Sequence, residues 1–196
     1  MKKLLPLFFL AALLVSCIPV DDLDGYWDKG VIDKLLIAKW LPDREFKAHS
    51  DSEPLVITSN GDIYTIDSPN ERERHRENYK PIYARTLRAG NYLFFMVGPK
   101  QGDLLRYVIR DNALEIYTLQ AHAMRLLLSQ DYPQVKNIQI DECAICRTRS
   151  KQDESYDDVK IKLLDDEVFG ILSKIPDTPD YWTKERRYIK ASVSPR

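Results

Sequence analysis

Apolar and polar positions alternate through the middle of the chain and cluster at its two ends. "EPLVITSNGDIYTID" holds two short β-rich runs on either side of Asn60-Gly61. Asn-Gly suits a two-residue turn whose central residues both need positive φ, so this stretch predicts a β-hairpin. On its second run Ile63 and Thr65 share one face, Tyr64 and Ile66 the other. "YKPIYARTLR" predicts a strand with Tyr79 and Pro81 near its start. "NYLFFMVG" at 91–98 is continuously apolar, the pattern of a strand covered on both faces. In "LLRYVIR" at 104–110, Leu105, Tyr107 and Ile109 oppose Arg106, Val108 and Arg110, and Asp111-Asn112 can turn the chain straight into "ALEIYTL". Residues 79–119 therefore read as an antiparallel meander.

Helical spacing enters later. Met124, Leu127 and Leu128 fall on one side of "QAHAMRLLLSQ". In "DDEVFGILSKI", Val168, Ile171, Leu172 and Ile175 repeat at i, i+3, i+4 and i+7, Asp165 is placed to cap, and Pro176 stops the helix. "VKNIQI", "DDVKIKLL" and a closing "ERRYIKAS" are further strand candidates, while the mixed-sign "ERERHRENYK" at 71–80 reads as a solvated loop. The expected class is α+β: mainly an antiparallel β-meander forming a barrel or strongly curved sheet, with two short helices.

The first residues follow another pattern. Lys2 and Lys3 precede an uncharged, almost wholly apolar run from Leu4 to Val15. A membrane span needs about 20 apolar residues, so this run suits the apolar region of a secretory signal instead. It ends Leu14-Val15-Ser16-Cys17, which resembles the lipobox of bacterial lipoproteins. The resemblance implies that the Cys17 thiol carries a diacylglycerol, that the chain is cut before it, and that the new amino group can be acylated. One acyl chain holds a membrane only reversibly, and two or more anchor it stably. Residue 18 is isoleucine, whereas an aspartate there commonly keeps such proteins of Gram-negative bacteria in the inner membrane. The expected address is thus the outer membrane, facing the periplasm. The expected organisation is a signal peptide over 1–16, a lipidated, acid-rich tether over 17–25, and one β-rich globular domain over 26–196.

Composition narrows the partners. The chain has 29 Lys+Arg against 30 Asp+Glu, and Lys2 and Lys3 would leave with the signal. A mild acid excess gives no electrostatic footprint for nucleic acid and no polybasic patch for anionic lipid. Seven glycines and the absence of G-x-x-x-x-G-K and G-x-G-x-x-G argue against a phosphate loop. No cofactor, catalytic group or metal site is expected. His49, beside Ser50 and Asp51, lies in a small polar turn; His75 and His122 are far from it in sequence, and neither G-x-S-x-G nor H-E-x-x-H occurs. The acid pairs after residue 150 lack the spacing of a calcium loop.

Cys143 and Cys146 form C-A-I-C. The leading expectation is a local disulfide, whose short loop is worth about 2 kcal/mol in the chain-entropy model. The alternatives are a thiol–disulfide oxidoreductase centre, which needs the first cysteine at a helix N-terminus, and half of a metal site or a pair of free thiols. Gly25-Tyr26-Trp27 resembles the G-x-W of lipocalins. That likeness implies a tryptophan closing one end of an eight-stranded barrel and packing on a late basic residue, Arg186 or Arg187. It also implies a carrier of a small apolar ligand, with a cavity of roughly 300 Å³ or more inside the sheet. The functional expectation is accordingly a non-enzymatic envelope lipoprotein that binds an unknown envelope protein, with a lipocalin-like carrier or a C-x-x-C oxidoreductase as the alternatives.

Overall fold

The computed structural model describes residues 18–23, 25–46, 53–74, 79–142 and 157–191. Seven strands run as an antiparallel meander: β2 (Ala38–Pro42), β3 (Leu55–Asn60), β4 (Ile63–Asp67), β5 (Ile82–Ala89), β6 (Tyr92–Val97), β7 (Gly102–Arg110) and β8 (Ala113–Leu119). β11 (Trp182–Lys190) inserts antiparallel between β8 and β2 and closes a ring of eight strands. A smaller flap hangs from the start of β7. There β1 (Ile18–Val20) pairs with residues 102–104, beyond the point where β8 leaves, and β10 (Asp157–Ile161) and β9 (Ile138–Glu142) follow outward. The fold is a closed β-barrel with short helices, nearer all-β than the α+β class expected.

Alternation decides which side chains enter the ring. Trp40, Leu55, Ile57, Tyr64, Ile66, Ala84, Phe95, Leu105, Tyr107, Leu114, Ile116 and Tyr188 share one buried cluster inside it. The opposite faces of β5–β8 and β11 bury a second cluster under the flap and two helices, α3 (Ala121–Asp131) and α4 (Asp166–Leu172). β6 is covered on both sides, with Phe94 and Met96 outward and Phe95 inward, which accounts for its unbroken apolar run. Met124 of α3 is fully buried, and Leu127 and Leu128 pack beside it. Asp165 caps α4 by accepting the Val168 N–H at 2.8 Å, and Val168, Ile171, Leu172 and Ile175 are all buried.

The turns follow backbone chemistry. Asp111 and Asn112 take φ of 50° and 60°, as a type I′ turn requires. In the first hairpin Asn60 pairs with Ile63, so the turn is Gly61-Asp62, one residue later than expected, and Gly61 alone has positive φ there.

Two expectations are corrected. Residues placed in a solvated tether are structured: Ile18–Val20 form β1, and Ile18, Val20 and Leu23 are buried in the outer core. Asp21 and Asp22 are exposed around them, and their charge hid the apolar anchors. The charged segment 71–80 is not all loop, because a helical turn α2 (Pro69–Arg74) opens on Pro69, whose fixed φ suits the first helical position. A one-turn helix α1 (Tyr26–Lys29) also precedes the barrel.

Candidate functional site: the two ends of the barrel interior

One end of the ring is plugged. After α1, Val31 exchanges two backbone hydrogen bonds of 2.8 Å with Thr86 of β5. A 3₁₀ turn, Lys34–Leu36, follows, and the Asp33 carboxylate caps it by accepting the Leu35 N–H at 3.0 Å. Leu36 is driven fully into the interior, and its carbonyl accepts the Trp40 indole N–H at 2.8 Å. Beneath it lies a polar network. The Tyr107 hydroxyl donates to Asp33 Oδ2 at 3.1 Å and lies 2.9 Å from Thr86 Oγ1; the Tyr64 hydroxyl lies 3.1 Å from the same oxygen and donates to the Asp33 carbonyl at 3.1 Å. Burial pushes both phenols above their ordinary range, so they stay protonated donors and supply no base.

The basic partner of the plug's tryptophan is Lys190, whose Nζ lies 6.0 Å from the Trp40 ring centroid. The expected pairing of Trp27 with Arg186 or Arg187 is not found. Trp27 stacks at 5.2 Å on Arg85 of β5 instead, and Arg85 Nη1 donates to the Trp27 carbonyl at 2.9 Å. Arg187 binds Asp43 and, at 3.5 Å, Glu115.

The far end carries two charges on the inner wall. Asp103 is the second residue of β7 and shares its face with Leu105 and Tyr107. It pairs in register with Val97 of β6 and Pro19 of β1. Among the described residues nothing bonds to its carboxylate, and burial pushes it up to about 6. Arg186 pairs with Ile116 and shares a face with Tyr188, so it too points inward. Tyr188 pairs with Pro42, the last residue of β2, which puts Arg186 past the end of β2 and away from the plug. Its residue exposure is 6%, and it has no hydrogen-bond or ion-pair partner among the described residues.

Charges on the outer wall are treated differently. Arg106, 3% exposed, donates from Nη2 to Asp177 at 2.5 Å, and its guanidinium lies 4.5–4.9 Å from the ring centroids of Tyr92, Tyr117 and Trp182. Glu115 receives Lys184 and, at 2.7 Å, the Tyr117 hydroxyl. Burial alone would raise its carboxyl, but these two hydrogen bonds together with the charges of Lys184 and Arg110 outweigh it and hold Glu115 below the usual carboxylate range.

Large side chains pack the middle of the ring: Trp40, Tyr64, Tyr107 and Tyr188 are each under 2% exposed. A groove of about 410 Å³ lies on the outer wall instead, between α1, β5 and α4, and is lined in part by Tyr26, Arg88 and Phe169. Cys17, Cys143, Cys146, His49 and His75 lie outside the described residues, and His122 is exposed on α3. Among the described residues no helix is long and apolar enough to cross a membrane. Compared with known protein families, curated proteins and solved structures, the chain finds no match in any of the three.

Proposed function

We propose that the chain is a lipid-anchored lipoprotein of the cell envelope, held by acylated Cys17 at the periplasmic face of the outer membrane, and that its barrel is a binding module rather than an enzyme. The observation that carries this reading is the meeting of two boundaries. The basic, apolar, lipobox-like segment ends at Cys17, and the sheet begins at Ile18. An anchor there would hold the barrel close against the bilayer with almost no slack. Metabolic labelling with a clickable fatty acid tests it: wild type is labelled and Cys17→Ala is not. A native product that starts upstream of Cys17, or that carries no acyl mass, refutes it. A pull-down from solubilised envelope with the lipid retained then identifies what the barrel binds.

A second reading, a lipocalin-like carrier, draws support from the closed eight-stranded ring and from the late Lys190 near Trp40 at the plugged end. The packed middle of the ring confines such a ligand to an end of it. Native mass spectrometry of the gently purified chain tests this reading, and a ligand-free mass in every preparation counts against it.

A further inference from the structure

Among the described residues three arginines are more than nine-tenths buried: Arg85, Arg106 and Arg186. Two of them show how the fold accommodates a guanidinium. Arg85 has Asp62, a backbone carbonyl and the Trp27 ring; Arg106 has Asp177 and three rings. Among the described residues Arg186 has neither an acid nor a ring. Its Nε is sealed from solvent without a partner. Nη1 and Nη2 also have no partner among the described residues.

A buried, unpaired cation is among the costliest groups a fold can hold. Guanidinium cannot escape the cost by losing its proton. Its planar fork of donors matches the two oxygens of a carboxylate or phosphate. Asp103 does not neutralise it: β8 separates β7 from β11, and no ion pair joins the two residues. Arg186 stands on the inner wall, at the end away from the plug, with Ile116 directly opposite and Tyr188 on the same face.

We propose that the far end of the barrel binds a small molecule bearing an oxyanion, a carboxylate or a phosphate, and that Arg186 receives its charge. The proposal rests on reading the barrel as a binding module, not on the lipid anchor. A chain that labels with fatty acid but ignores anions loses this proposal alone.

The test uses the full chain in a non-ionic detergent at constant ionic strength, balanced with chloride. Inorganic phosphate, hexanoate and hexanol are titrated while thermal unfolding is followed. Phosphate, hexanoate or both raise Tm saturably, and hexanol does not; which anion acts assigns the headgroup. Arg186→Met, similar in reach but uncharged, weakens the response at least tenfold, and Arg186→Lys weakens it less. If Arg186→Met does not fold, ¹⁵N-arginine labelling of the wild type decides: the Arg186 Nε–H resonance shifts with the same saturation curve. The proposal is overturned if neither anion gives a saturable response, if Arg186→Met responds like wild type, or if the Nε–H signal stays fixed.

Discussion

Replacing Asp103 with asparagine should stabilise the protein at neutral pH and do little in acid. The carboxylate is pushed from 3.8 to about 6, and burial is the cause. About 1.4 kcal/mol corresponds to each tenfold change in proton affinity, so the ceiling is about 3 kcal/mol. The side chain is only partly buried, and water screening reduces the expected gain to about 1–2 kcal/mol. The folded carboxyl holds its proton more tightly than the unfolded one. Between about pH 4 and 6 the folded state therefore binds more protons, and stability falls as pH rises through that window. An asparagine side chain has the same shape and no charge to desolvate. Urea unfolding of both proteins at pH 4, 5, 6 and 7.5 would show the gap widening to about 1–2 kcal/mol, with equal m values. A gap that does not depend on pH, or one favouring the aspartate at pH 7.5, would refute the assignment of Asp103 to a desolvated inner wall.

Three other substitutions test other parts of the barrel. Tyr107→Phe removes the hydroxyl that joins Asp33 to Thr86 at the plug; it should cost about 1–3 kcal/mol in urea unfolding, and a neutral result would mean the network is not buried. Lys184→Met takes the main cation from Glu115 and should cost about 1–2 kcal/mol at pH 7. Because Glu115 titrates below its ordinary range, that cost should shrink as pH falls through the carboxylate range, and a constant cost would sink the pairing. Gly102→Ala would drive a methyl group into the Val97 carbonyl where β1, β6 and β7 meet. It should lower Tm by several degrees, from about 3 kcal/mol of strain, and an unchanged Tm would show that the junction is looser than described.

The local parts of this fold were legible because short-range chemistry specifies them. Asp111-Asn112, the alternation of Leu105, Tyr107 and Ile109, and the spacing of Val168, Ile171 and Leu172 each point to one element. Ring closure was legible only in part: a barrel and a closing strand in "ERRYIKAS" were expected, but nothing near Ala38–Pro42 announces β11 as its neighbour. The plug was misplaced for a similar reason. Trp27 had the expected sequence neighbours, but Trp40 has the hydrogen bond to Leu36 and the late lysine. Two inward charges were not recognised as such. Arg186 keeps step with Tyr188, and Asp103 with Leu105, so alternation pointed both inward. Arg186 was singled out only as a partner for Trp27, and Asp103 not at all.

The strand that seals the ring is also the last described one to leave the ribosome. Until β11 arrives, β2 and β8 each keep a bare edge, although their hairpin partners are already made. β1 also waits, though less long, because its parallel neighbour β10 lies far along the chain but ahead of β11. Such edges are templates for wrong pairing while a chain is incomplete. The nascent protein thus has a built-in delay between making its hairpins and completing its wall, and a chaperone that shields β-edges would have its greatest effect during that interval.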